Sequence, residues 1–447
     1  MNERLALDVA VIGAGPCGLM TAKKLAEKGF KVAVFDRKPY ASFINPGIME
    51  MLSLQPNKIE EDSNNIYFTE SGFSLSKRHI KNKIYGFATY SPGKYALVLR
   101  SIYPTNYRID YKAWIEKLEN EAKEKGVVIN YEKEMTGFIS SGGYIKGFVI
   151  EDKKGNDSEV YARHIVAADG IRSKLSAYAN IERELWGVHR IVGVRLKDFD
   201  IKKTGKDELF DPNFHNMYLN KKFSGPNTLA ITAYLGDGEM YVIAVVQDTS
   251  LRDHSSGKPK DILDNFLKFL NNYDACAEAF RKSTPSQYFG YYLPVNSPIA
   301  KVFEKGGVSF LGDTAFTIET QWTGAMAVAA KATETIEAIL DEKNRDEMIG
   351  EYDRWWGRFV VNARRQFDFS TFMHSLEEEE LNELFSYFSD EIVIEHLSGC
   401  DDEFGTPNEF IKNMNARLLE IDVDEIKSQK VRMLMTMLKQ RAQEGKL

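Results

Sequence analysis

The residues best suited to chemistry stand at the start of the chain, in Gly13-Ala14-Gly15-Pro16-Cys17-Gly18. This G-x-G-x-x-G spacing lies between an apolar run, Asp8 to Ile12, and a segment with helical spacing, Leu19 to Lys28, the setting in which it binds a dinucleotide pyrophosphate. Gly13 permits a tight turn, Gly15 lets phosphate approach the backbone, and Gly18 lets the helix close on the strand, with Ala22 extending that closeness by a turn. The helix beginning near Pro16, with Cys17 in its first turn, offers amides and a positive dipole end to phosphate charge. Asp36 ends a second apolar run, Phe30 to Phe35, 18 residues beyond Gly18 (36 minus 18), where a carboxylate accepts the ribose hydroxyls. Arg37 and Lys38 follow and can edge the adenosine. This spacing alone does not separate FAD from NAD, and a glycine turn without nucleotide is the alternative.

Two further segments have a strand ending in a carboxylate. His164-Ile165-Val166-Ala167-Ala168-Asp169-Gly170-Ile171-Arg172-Ser173 is one, and by itself it could be an ordinary Asp-Gly turn. Gly307-Val308-Ser309-Phe310-Leu311-Gly312-Asp313-Thr314-Ala315 is the other. Taken in order, the three segments resemble the motifs of the FAD-dependent aromatic hydroxylases and geranylgeranyl reductases, flavoproteins of glutathione-reductase-like fold. The resemblance implies noncovalent FAD with Asp169 and Gly170 beside it. It also places Gly312 and Asp313 at the ribityl chain, whose hydroxyl donors need a fixed acceptor.

Departures from the family pattern decide what the resemblance implies next. After Asp313 the family runs through a proline loop into a glycine-rich helix start. Here the stretch is Phe316 to Met326, in which Gly324 stands for the first glycine, Ala325 follows, the proline is missing and Met326 replaces a second glycine. The N-terminus of the helix that follows is expected to face the flavin. Tyr111 stands where the family often has Arg, so Arg100 or Arg108 could supply that contact or could be structural. Aromatic hydroxylases usually carry a His and then a Pro after the third motif, but Ala315 and Phe316 occupy that region. The resemblance therefore leans toward the reductases, which pass hydride or electrons to a hydrophobic or isoprenoid acceptor, although only a remnant of their lipid-anchoring signature can be sought at Glu239-Met240-Tyr241-Val242. An NAD(P)H-dependent FAD monooxygenase and a non-catalytic lipid- or partner-binding scaffold are the alternatives.

Catalytic side chains are not specified, because the chemistry is flavin-centred. Trp322, in the loop before the long helix, is a pocket candidate, and Glu319 is a proton donor or a solvated loop acid. Phe210 to Phe223 and Tyr291-Tyr292 line an apolar pocket or serve as core. No second glycine motif of comparable quality exists for NAD(P)H, so the electron donor is NAD(P)H bound transiently or a ferredoxin-like partner.

Strand, glycine turn, helix and strand in succession make a βαβ unit. Tyr40 to about Arg108 reads as irregular, with Pro46, Pro92 and Pro104 as breakers. Asp110 to Lys125 is helical, Val127 to Tyr131 a strand, Glu134 to Val160 short antiparallel strands, His164 to Ala168 another strand, and Thr323 to Leu340 a long helix. The expected fold is α/β: a Rossmann-like FAD-binding domain (1–40, 106–183 and 299–342), an inserted mixed or antiparallel-sheet substrate domain (41–105 and 184–298) and a helical C-terminal region (343–447). Within the last, Val431, Leu434, Met435 and Leu438 form one apolar stripe, expected to dock on the chain's own body or a second subunit in preference to a membrane surface. The acidic run Glu377 to Glu380 reads as a solvated helix face.

The whole-chain properties are consistent with this plan. At 447 residues the chain can build two or three subdomains around a large cofactor, and 43% hydrophobic with 28% charged residues is ordinary for a globular protein. A net charge of -7 disfavours nucleic acid as a partner. Cys17, Cys276 and Cys400 are odd in number and widely spaced, which points away from a disulfide framework or metal site and toward a reducing cytoplasm. No run is long and apolar enough to span a bilayer, so the expected location is cytoplasmic with peripheral membrane contact open, and a homo-oligomer is open too.

Overall fold

The computed structural model describes residues 7–41, 48–50, 59–69, 71–93, 95–102, 104–204, 210–221, 228–248, 257–316, 322–361, 363–388, 392–394 and 408–444. The chain forms two compact units, one from 1–80, 109–185 and 294–363, the other from 81–108, 186–293 and 364–447.

The main elements of the first unit are β1 (Leu7–Ile12), α1 (Pro16–Glu27), β2 (Val32–Asp36), α2 (Tyr111–Glu124), β3 (Val128–Tyr131), β4 (Lys133–Ser141), β5 (Tyr144–Asp152), β6 (Asp157–Ala167), β7 (Val308–Phe310), α3 (Trp322–Asp341) and α4 (Arg345–Val360). Strands β3, β2, β1, β6 and β7 lie side by side in that order, all parallel. Parallel strands are covered on both faces, and accordingly Val9, Ala10 and Val11 of β1 and all five residues of β2 are buried. The segments expected as separate strands before and after residue 160 are one strand: β6 pairs antiparallel with β5 through its first half and parallel with β1 through its second. Helix α1 packs on α2 and α3. Asp110 caps α2 by accepting the Ala113 N–H at 3.2 Å, and Gly126 closes it at φ 90°.

The stretch expected to be irregular is strand-forming. Ile59–Glu61, Asn65–Phe68 and Phe73–Ser76 make an antiparallel sheet in the first unit, turned by Asp62, whose carboxylate accepts the Asn64 and Asn65 amides at 2.6 and 2.7 Å. Residues 59–80 therefore group with the first unit rather than with the inserted one.

The second unit is built on an eight-stranded mixed sheet in the order Thr284–Asn296, Leu185–Lys197, Glu239–Asp248, Thr228–Gly236, Phe214–Tyr218, Gly86–Tyr90, Ala96–Ser101 and Ile392–Ile394. One face, with Val194, Leu196, Tyr234, Met240 and Val242, packs on Leu263, Phe266 and Leu270 of the helix Pro259–Asn272. Phe210, Phe214 and Tyr218 belong to this core, so that aromatic stretch is packing, while Phe223 lies outside the described residues. The other face groups Ala233, Leu235, Tyr241 and Ile243 with the half-buried Ile191, Ile231, Val245 and Phe289.

The C-terminal region does not stand as a third body. Helix α4 belongs to the first unit, where the Trp356 indole N–H donates to the Ile299 carbonyl at 2.8 Å. Ile392–Ile394, expected as helix or loop, is a strand pairing parallel with Ala96–Ser101 in the second. In the final helix, Gln429–Gln443, Val431, Leu434 and Met435 are buried against Leu376, Leu381, Leu384 and Phe385, with Leu438 half-buried beside them. The stripe thus docks on the chain itself. The acidic run is more than a solvated face, since Glu377 and Glu380 form a capping box and Glu380 also accepts the Ser428 hydroxyl at 2.8 Å. Among the described residues no helix is long and apolar enough to cross a membrane.

Candidate cofactor site

Parallel pairing brings the three carboxylate-bearing turns to one edge of the sheet. The Gly13 N–H donates to the Phe35 carbonyl (2.8 Å), Ala168 to Ile12 (2.8 Å) and Leu311 to Ala167 (2.9 Å), so each turn begins from its neighbour. At Gly13, with φ 109°, a Cβ would lie 2.2 Å from the Ala168 carbonyl oxygen. A side chain there would drive the second turn away. At Gly18 a Cβ would lie 2.0 Å from the Gly13 oxygen, and at Gly312 it would meet the Cys17 side chain at 3.1 Å. Glycine is thus required where the turns interlock.

Gly15 differs, because a Cβ built on it meets nothing within 4 Å, and the same holds at Gly170. Gly15 is the N-cap of α1, Pro16 opens the helix, and no side chain caps the amides that follow. An open glycine before uncapped, positively polarised amides is a cradle for phosphate.

Asp36 is buried at the end of β2 and held from both sides. Its Oδ2 accepts the Ala14 N–H at 2.7 Å and its Oδ1 the Lys38 N–H at 2.8 Å, leaving lone pairs for further donors. Arg37 and Lys38 add positive charge. Burial lowers the Lys38 pKa against the pull of Asp36, with Arg37 and Arg172 lowering it further.

The second and third turns are joined by Thr314, whose hydroxyl accepts the Gly170 N–H at 2.9 Å and donates to Asp169 Oδ1 at 3.2 Å. Asp169 is packed round by protein yet keeps solvent exposure. Burial pushes its carboxyl up to about 6, against hydrogen bonds from Ser173 and Thr314 and the charge of Arg37. The third turn meets the first at Cys17, where burial, then the charge of Asp313, pushes the thiol up to about 12. Asp313 itself is half-exposed.

Gly13, Gly15, Pro16, Cys17, Gly18, Asp36, Arg37, Lys38, Asp169, Gly170, Gly312 and Asp313 all lie at this sheet edge in the first unit. Gly324 and Ala325 are buried in the first turn of α3. Trp322 opens α3 rather than lying in a loop, and Glu319 lies outside the described residues. The two arginines considered as substitutes for the family's Arg are engaged in the second unit. Arg100 lies 3.5 Å from Asp211 and over the Phe214 ring at 4.4 Å, and buried Arg108 donates to the Tyr234 carbonyl at 3.3 Å beside His215. Tyr111 is the first residue of α2. Thr314, the link between two turns, escaped sequence reading because a Thr after Gly-Asp carries no spacing signal.

Residues 6–321 match the family described as FAD binding domain. The chain belongs to this family. It is an FAD-dependent oxidoreductase, and the open cradle at Gly15 with the doubly anchored Asp36 fits an FAD pyrophosphate and ribose. The flavoprotein is 23% identical to a digeranylgeranylglycerophospholipid reductase of Methanothrix thermoacetophila, over 86% of this chain and 92% of that one. It is 25% identical to the reductase of the same name from Methanosarcina acetivorans, where the alignment covers 59% of this chain and 60% of the relative. Among solved structures, a geranylgeranyl bacteriochlorophyll reductase-like protein from Thermoplasma acidophilum has the same fold, with TM-score 0.72 and 18% identity over 97% of this chain and 99% of that one.

Proposed function

We propose that the flavoprotein passes electrons from FAD to a hydrophobic, isoprenoid-type acceptor. The observation that carries this reading is the extent of the similarity to an isoprenoid lipid reductase, which spans 86% of the chain and so is not confined to the cofactor motifs. The apolar sheet face of the second unit, with Ile191, Ile231, Val245 and Phe289, supplies surface of the right chemistry.

In this proposal Asp36 accepts the adenosine ribose hydroxyls, Arg37 and Lys38 border the adenosine, and the turn from Gly13 to Gly18 with the first amides of α1 holds the pyrophosphate. Asp169 and Gly170 lie along the cofactor, and Asp313 beside Gly312 accepts from the ribityl chain. The α3 N-terminus at Gly324 and Ala325 directs its positive end toward the flavin. FAD, when bound, supplies the two-electron chemistry, and the chain's residues position it and exclude water. The hydroxylase alternative is the less well supported of the two, since Ala315 and Phe316 stand where those enzymes usually carry His and Pro. Electrons enter from NAD(P)H or a ferredoxin-like donor. A lipid acceptor resides in bilayers, so peripheral contact belongs to the same proposal, through a surface other than the docked C-terminal stripe.

The test is anaerobic. Protein reduced in turn with NADH, NADPH and reduced ferredoxin is mixed with an isoprenoid lipid or an aromatic compound, and the flavin spectrum and products are followed. Reoxidation by the isoprenoid with saturation of a double bond supports the reading. No reoxidation by the isoprenoid, with reoxidation only after oxygen is admitted together with the aromatic compound and a hydroxylated product formed, overturns it.

A further inference from the structure

Arg183 stands outside every motif, two residues before the chain leaves the first unit after Leu185, yet each of its three guanidinium nitrogens donates to a backbone carbonyl. Nε donates to the Ser297 carbonyl at 2.7 Å, Nη1 to Thr314 at 3.0 Å and Nη2 to Ala315 at 3.1 Å. Ser297 lies where the chain has just returned to the first unit, and the outgoing and returning segments are tied there again. The Ser297 N–H donates to the Glu184 carbonyl at 2.7 Å, and the Glu184 N–H donates to the Ser297 hydroxyl at 2.9 Å. One side chain therefore fastens both crossing segments to the end of the Gly312–Thr314 turn.

We infer that Arg183 is a positioning residue for FAD, acting through the third turn rather than by touching the cofactor. This rests on the assignment of Asp313 to the ribityl chain. Thr314 is the only residue that both receives Arg183 on its carbonyl and, through its hydroxyl, bridges Gly170 and Asp169 among the described residues. Fixing its peptide plane fixes the second and third turns relative to each other, and Asp313 is the preceding residue of that same turn. The fork of divergent donors matters, because an ammonium cannot reach three separately placed carbonyls with the same geometry. Burial lowers the Arg183 pKa to about 10, so the guanidinium stays protonated at neutral pH. Fork and charge make separable predictions.

The experiment measures FAD affinity and the visible circular dichroism of bound flavin for Arg183→Gln, Arg183→Lys, Thr314→Val and Arg183→Gln/Thr314→Val, with apo-protein thermal stability alongside. We expect Arg183→Gln to weaken FAD binding about tenfold and change the flavin dichroism, Arg183→Lys to recover little of either, and the double variant to lose less than the sum of the singles. Wild-type affinity and dichroism in folded Arg183→Gln, or full rescue by Lys, would overturn the inference. So would additive losses that follow apo stability, since these mark a merely structural clamp. If the Gln and Lys variants do not fold, hydrogen exchange of the wild type decides: FAD must protect peptides spanning 181–185 and 311–316 together, and protection of 311–316 alone contradicts the clamp. Asp313→Ala separates the two levels. Lost FAD affinity there with none lost in Arg183→Gln sinks the clamp alone, whereas unchanged affinity in Asp313→Ala sinks the ribityl assignment beneath it.

Discussion

Asp169 Oδ1 accepts the Thr314 hydroxyl at 3.2 Å, which ties the turn after β6 to the turn after β7. A carboxyl whose native pKa is raised to about 6 favours the native state while protonated. Its contribution is therefore full below the ordinary value of 3.8 and is lost as pH rises through about 6. The Tm of apo-protein should fall over that window more steeply in wild type than in Asp169→Asn. Parallel pH curves for the two proteins would show that Asp169 titrates normally.

Gly13 and Gly15 should respond oppositely to the same change. Gly13→Ala puts a Cβ 2.2 Å from the Ala168 oxygen at a positive φ, and denaturant titration should show a loss of about 2–4 kcal/mol or failure to fold. Gly15→Ala meets nothing within 4 Å and should leave apo stability within about 0.5 kcal/mol while weakening FAD binding about tenfold or more. Equal stability losses in the two variants would contradict the interlocked-turn geometry.

Cys17 should be chemically silent. Its thiol is buried and pushed up to about 12, and Cys276 is buried too. Thiolate is the reactive form, so alkylation mapped by mass spectrometry should leave both unmodified in native protein and label both in denaturant. Rapid native labelling of Cys17 would mean that the first and third turns do not close on it.

The docked C-terminal stripe should be a stability element. Leu434→Ala removes a side chain that is 4% exposed and should cost about 2–4 kcal/mol in chemical denaturation. Deletion after Lys427 should lower thermal stability and leave sedimentation with liposomes unchanged. Lost liposome binding with intact stability would reverse the assignment.

The cofactor edge was legible because glycine and carboxylate spacing reports backbone geometry directly. Gly13 and Gly18 are required by close approaches, Gly312 by its φ of 60°, and Asp36 by its position at a strand end. The strands between Ile59 and Ser76 were not legible, since their runs are short and the turn at Asp62 relies on side-chain hydrogen bonds rather than glycine. The continuity of β6 was hidden because one strand changes from antiparallel to parallel partners without any change in its own residues. Arg183 had no local signal at all, because its partners are carbonyls more than 100 residues away, which any sequence would supply.

The most direct test of the account is FAD titration of purified Asp36→Ala against wild type, with far-ultraviolet circular dichroism as the control for folding. Asp36 is held by the Ala14 and Lys38 amides in the position proposed for the ribose acceptor. The account predicts that wild type binds FAD noncovalently and that the variant keeps its secondary structure while losing at least about tenfold in affinity. A folded variant that binds FAD as tightly as wild type would contradict it.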